Sequence, residues 1–238
     1  MHHSGGPDSV EQFLTTKLNF YRFSIPFNMS ETVVSDVKHE LFFKRLRQET
    51  AESHQKLEAN KLSQALLSPS VTIAEYQAYI GALWGVTVSC ERQIFPALGH
   101  IVPDLQVRFK SNLIVADLLA TGMPGGTIDE IPVHHFRFST TAEALGIMYV
   151  LEGSTLGGRI LYKHIHETLG LTPEAGASYF WGYGPETGNL WKSFISSLTQ
   201  FVTIEEGSAE IIESAKKTFT IIDDWLSTRY KEKQHNEH

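Results

Sequence analysis

One cysteine, Cys90, is all the chain carries in 238 residues. That excludes an internal disulfide and fits a reducing compartment. No apolar run approaches the ~20 residues that a helical membrane span needs, so a membrane is not an expected partner. Positive charge is scarce, with 20 Lys and Arg against 27 Asp and Glu and a formal net charge of −7. No basic stripe offsets it, so nucleic acid is not an expected partner either. The glycine-rich stretch Gly182 to Gly188 lacks the Gly-Lys-Ser/Thr ending of a phosphate loop. His134-His135 and the pair His164/His166 lack the i, i+4 spacing and acidic partner of a helical zinc site, and are expected at the surface. The opening Met1-His2-His3-Ser4-Gly5-Gly6-Pro7 has neither a basic region nor an apolar stretch, so a secretory leader is not expected. A cytoplasmic location is the resulting expectation.

Sustained strand alternation is also missing, and no repeat is present. What is there reads as helix. Apolar Val37, Leu41, Leu46, Leu57 and Leu62 drift round one face from Asp36 to Leu67, until Ser68-Pro69-Ser70 breaks the pattern. Thr72-Ile73-Ala74-Glu75 is a capping box that opens a helix to about Phe95. A further helix is expected from Pro103 to near Gly122, and a loop from Met123 to Ser139. Thr140 to Glu143 is a second capping box, opening a helix that ends near Gly170. Thr172-Pro173 suits the start of a short helix. Helices then follow from about Glu186 to Val202 and from Glu205 to Lys233. The fold class is all-α, an irregular helical bundle. Residues 31–233 are expected to form one domain. Residues 1–30 are expected to be an N-terminal extension, disordered or foreign to a native start near Met29, and 234–238 a frayed tail.

Two patches carry the chemistry. The first is the helical segment Leu46 to Glu58, with His54 on one face. The second is Tyr149-Val150-Leu151-Glu152-Gly153-Ser154-Thr155-Leu156-Gly157-Gly158-Arg159. Each glycine inside a helix costs roughly 1 kcal/mol against alanine, so three together cost on the order of 3 kcal/mol. Gly153 and Gly157 share a face, with Gly158 beside them. Such a face lets a flat, bulky ligand lie on the helix backbone, and a histidine opposite could hold a metal at its centre. Close helix packing is the competing explanation of the glycines.

Together the two patches resemble the heme oxygenase family, nearer its bacterial members than its animal ones. The resemblance runs from about Phe42 to Tyr230. It implies a heme oxygenase-like helical bundle that clamps heme between a proximal and a distal helix. It also implies cleavage of the bound heme, as substrate and cofactor at once, with O2 to biliverdin, carbon monoxide and ferrous iron. Electrons would come from a separate reductase or ferredoxin, since the chain has no nucleotide fingerprint of its own. The resemblance also implies a phytochrome that uses bilins as a partner for the product. In this reading His54 is the axial iron ligand. Arg47, two turns or about 10 Å along the helix, pairs with a propionate. Thr50 and Glu58 match family positions, and Glu58 is placed to orient the imidazole. Gly153, Gly157 and Gly158 bear the macrocycle. Lys192, in Leu190 to Phe194, is a second propionate partner, and Phe219, in Ala215 to Phe219, is a pocket wall.

Two departures stand out. Ser154 takes the place where many members carry an aspartate that holds a proton-donating water, and Val150 replaces an arginine of animal members. Gly153, Ser154 and Gly157 are the catalytic candidates. The Ser154 departure keeps a non-catalytic heme-binding or heme-sensing protein of the same fold in play. A thiamin-degrading hydrolase of related helical architecture would need Cys90 as its nucleophile.

Overall fold

The computed structural model describes residues 31–236. The expected extension over 1–30 lies outside the described residues. The chain divides into two units, 1–38 and 39–238, and the packing below belongs to the second.

Among the described residues the regular structure is helical, with only isolated bridges from Thr172 to Ala175 and Gly176. In chain order the helices are α1 (Glu31–Glu58), α2 (Lys61–Leu66), α3 (Ile73–Ser89), α4 (Phe95–Leu98), α5 (Ser111–Ala120), α6 (Gly125–Asp129), α7 (Thr141–Leu169), α8 (Ser178–Trp181), α9 (Thr187–Glu205) and α10 (Ser208–Asn236). The all-α expectation holds. α10 extends through Asn236, into the segment expected to fray.

Local chemistry explains most boundaries. Thr72 and Glu75 form the reciprocal capping box at the start of α3. Thr140 caps α7 by accepting from Glu143 N at 3.1 Å, while the Glu143 carboxylate reaches one residue further back, to Ser139 N at 2.6 Å. Gly170 ends α7 with φ +70°, a left-handed turn that glycine adopts without strain.

Five expectations are corrected. The first helical stretch is two helices, because the Asn60 side chain accepts from Leu62 N and starts α2 afresh. Its buried stripe is set by Phe42 and Leu46, and Leu41 is 60% exposed. Pro103 opens no helix; a 3-10 turn at Leu105–Val107 precedes α5. The Met123 to Ser139 loop contains α6. Thr172-Pro173 forms a tight turn instead of a helix, with Ala175 N donating back to Thr172 O at 2.9 Å.

α3 runs on through a π turn, Cys90–Ile94, into α4. The wider turn carries Glu91, whose buried carboxylate accepts from Lys110 N, Ser111 N and the Ser111 hydroxyl. It therefore satisfies the open N–H groups at the start of α5.

The most extensive helix contact joins α7 to α10. It is close because Gly146 has no side chain. A Cβ there would stand 2.6 Å from Ile211 O and 2.9 Å from Ala215 N. The Ser214 hydroxyl donates to Glu143 O at 2.7 Å, one turn away. Leu145, Met148, Ile211, Ala215 and Phe194 fill the main core with Leu46. A second cluster gathers Tyr76, Ile80, Ile114, Leu118, Ile165 and Phe180.

Candidate functional site

α1 buries Phe42, Leu46 and Thr50 at four-residue steps. Each such step turns about 40° round the helix, so the stripe climbs out of the core. The next step is His54, whose side chain is 42% exposed. Its ring meets Phe219 of α10 edge-on, with centroids 5.2 Å apart. Its Nε2 lies 3.7 Å from Glu58 Oε1. That exceeds hydrogen-bonding length, so Glu58 bears on the imidazole through charge alone. Thr50 turns its hydroxyl back to Leu46 O at 2.7 Å. Arg47 and Lys192 are exposed, on α1 and α9.

Tyr149 joins α1 to α7, and sequence reasoning passed it over. Burial pushes its phenol up, while the Arg47 charge and the Thr50 hydroxyl beside it act the other way. His54 lies one turn beyond Thr50, and Gly153 one turn beyond Tyr149. The signal was in the sequence: Tyr149 shares the glycine face at the i−4 position.

The three glycines fare differently. Gly157 is open, with nothing within 4 Å of where a Cβ would sit. Gly153 faces the six-membered ring of Trp191, at 3.5 and 3.6 Å. Gly158 is buried with Phe180 O 3.2 Å from its Cβ position, so close packing accounts for its bareness. Ser154 is exposed and donates to Leu151 O at 2.7 Å. Its oxygen is also among the polar atoms around the Tyr179 phenol, which burial pushes up while Thr87 and Ser154 act the other way.

Behind α7 lies a buried charge cluster. Arg108 is wholly buried. Its Nη1 donates to Glu152 Oε1, its Nε and Nη2 to Asp104 at 2.8 and 2.9 Å, and Nη2 also to Leu190 O at 2.8 Å. The Tyr183 hydroxyl donates to Glu152 Oε2 at 3.0 Å, and Lys110 Nζ stands 3.8 Å from the same oxygen. Burial pushes Asp104 up, but Arg108 and Ser193 outweigh it and hold the carboxyl below its ordinary value. Burial draws Lys110 below the usual lysine range, against the pull of Glu152. Two cations thus meet two carboxylates, which is what buried charges require. Nothing in the sequence joined Arg108 to Glu152, 44 positions apart. The available hint was a carboxylate closing the apolar run Ile147 to Leu151. A cavity of about 20 Å³, room for about one water, touches Thr87, Cys90, Lys110, Glu152 and Tyr179.

Cys90 is buried, and burial pushes its thiol far up, which denies it the thiolate a nucleophile needs. His134, expected at the surface, is half-buried between the rings of Phe136 and Trp225. Among the described residues no group of three or more His, Cys, Asp or Glu side chains is placed to hold a metal ion. An open cavity of about 600 Å³ lies elsewhere, along Arg137, Phe138, Glu143 and Lys217, and no candidate residue lines it.

A bare helix face at Gly157, a half-exposed imidazole backed by an aromatic edge, and exposed cations on two helices are a donor set that fits a flat, carboxylate-bearing macrocycle with a central metal.

The family model for heme oxygenase matches residues 128–228. Heme oxygenase PigA of Pseudomonas aeruginosa is 32% identical over 136 residues, covering 56% of this chain and 66% of that relative. The chain thus spans just under two thirds of PigA. Among solved structures, the NO- and CO-bound heme oxygenase from Neisseria meningitidis aligns with TM-score 0.62 at 22% identity, over 80% of this chain and 92% of that one. Heme oxygenase-1 from the cyanobacterium Synechocystis, in complex with heme, aligns with TM-score 0.58 at 17% identity, over 79% and 91%. At these identities the two structures speak to the fold.

Proposed function

The chain belongs to the heme oxygenase family, and on that premise we propose that it is an enzyme that opens bound heme with O2 and external electrons, yielding biliverdin, carbon monoxide and ferrous iron. The observation that supports the reading is the meeting of Tyr149 with Arg47 and Thr50, which brings together the helix of the half-exposed His54 and the helix of the open Gly157 backbone.

Bound heme would supply the redox-active iron at which O2 and electrons meet. The chain supplies the rest. His54 would hold the iron. Arg47, Lys192 and the Tyr149 phenol would pair with the propionates at the ring edge. Gly157 would let the ring lie against the helix backbone. The Ser154 hydroxyl donates to Leu151 O and its oxygen also meets the Tyr179 phenol, which leaves one lone pair to hold a water that carries protons. Electrons would come from a separate reductase or ferredoxin. The expected setting is the cytoplasm, and a bilin-using phytochrome is a partner suited to the product.

A serine in place of an acidic residue favours one competing reading, a heme-binding protein without turnover. Hemin titration followed by ascorbate in air separates the two. The enzyme loses its heme absorption and gains that of biliverdin; a binder keeps its heme spectrum. His54→Ala should lose the histidine–heme spectrum and turnover, and added imidazole should partly restore both. An unchanged spectrum in His54→Ala would remove His54 as the ligand.

A further inference from the structure

Gly153 and Gly157 share one face of α7, about 6 Å apart along its axis, yet they look onto different surroundings. The outer edge of the Trp191 indole, atoms Cη2 and Cζ3, covers Gly153 at 3.5–3.6 Å. Nothing covers Gly157.

Trp191 is firmly placed. Its chain neighbour Leu190 accepts from Arg108 Nη2 at 2.8 Å. Two positions on, the Ser193 hydroxyl donates to Asp104 Oδ2 at 2.8 Å. Arg108 also binds Glu152, the residue before Gly153. One buried guanidinium therefore holds a backbone carbonyl of one segment and a side-chain carboxylate of the other, and the next residue on each is a member of the touching pair. The rings of Tyr149 and Phe194 brace the indole at 5.7 and 5.9 Å. With its backbone anchored on both sides and its ring braced by Tyr149 and Phe194, the indole stands over Gly153, so a flat ligand on this face meets a wall at Gly153 and open backbone at Gly157.

Resting on the reading of this face as a heme site, we propose that Trp191 is a specificity-determining wall that keeps the macrocycle off Gly153, seats it over Gly157, and so fixes which carbon of the ring is cut. Trp191 acts by position and takes no part in the chemistry.

The test uses the full chain with hemin and four variants: Trp191→Phe, Trp191→Ala, Gly153→Ala and Gly157→Ala. Hemin affinity is read by absorbance titration and in-plane seating by proton NMR of the heme methyl groups. Biliverdin isomers are read by chromatography after reduction in air. A phenyl ring is shorter than indole and withdraws from Gly153, so both Trp191 variants should change the methyl pattern and the isomer ratio while the histidine–heme absorption persists. Gly157→Ala should cost about tenfold more hemin affinity than Gly153→Ala, because one methyl meets the ligand and the other meets Trp191. Wild-type methyl patterns and isomer ratios in Trp191→Phe, or equal losses in the two glycine variants, would overturn the proposal. Should Trp191→Ala fail to fold by circular dichroism, Trp191→Phe and the glycine pair decide it. Failure of the wild type to bind hemin would instead overturn the heme reading beneath it, and this proposal with it.

Discussion

The two halves of α7 are built on opposite terms. From Ala142 to Glu152 the helix is buried on nearly every side. There Gly146 brings its backbone against α10, and Glu152 is locked into the Arg108 cluster. From Gly153 onward the helix emerges, and Ser154, Gly157 and Arg159 are exposed. Gly146 and Gly157 lie on the same face about three turns apart, yet one glycine is required by a neighbour's backbone and the other faces open space. A glycine in a helix thus says that bare backbone is tolerated there; what stands opposite says why.

Four substitutions probe that contrast. The largest loss should come from Arg108→Leu, which strands the buried Glu152 carboxylate with only Lys110 and Tyr183. Removing one partner of a buried pair costs about 3–5 kcal/mol, to be read from urea unfolding midpoints. A loss below about 1 kcal/mol would mean that the cluster contributes no more than a surface pair. Next is Gly146→Ala. Its methyl would press on Ile211 O and Ala215 N, which belong to a packed helix and cannot swing away. Overpacking, less the gain in helix propensity, should leave a net loss of about 2 kcal/mol. The same change at Gly157 should act with the opposite sign, raising stability by about 1 kcal/mol, since nothing lies within reach of the methyl. Equal thermal shifts for the two alanine variants would erase the distinction between the halves.

The smallest effect concerns pH. Asp104 has its folded pKa depressed below the ordinary 3.8, so its contribution is present above that value and is lost as pH falls through the folded one. Asp104→Asn should therefore cost about 1 kcal/mol at neutral pH, and its gap from the wild type should close below about pH 4. A gap of constant size across that range would show that the carboxylate charge is not what holds Arg108.

Legibility followed range. The Thr72–Glu75 box and the bounds of α7 could be read because each depends on residues within one turn. The glycine pattern and His54 pointed to the family, since a helix presents them at fixed spacing on a face. Leu41 was misread for Phe42 because neighbouring apolar residues leave the phase of a helix ambiguous by one position. Gly146 stands seven residues before Gly153 on the same face, but a lone glycine carries no motif, whereas Gly153 to Gly158 forms one. Arg108, Trp191 and the π turn that aims Glu91 at Ser111 could not be read, because each takes its role from a chain segment tens of residues away. Gly158 shows the limit from the other side: its motif pointed to a ligand, and a carbonyl of α8 supplies a packing reason as well.

The Gly146 contact is also one abutment of a bridge. On one side of Gly157 the helix is held by α10 at Gly146, about 16 Å away along the axis, and by Arg108 at Glu152, about 7.5 Å away. On the other side Gly158 rests against Phe180 O, and Ile165, about 12 Å on, is buried in the second cluster. The open face is therefore a span held at both ends. Its stiffness is set from behind the helix, by residues that never face it.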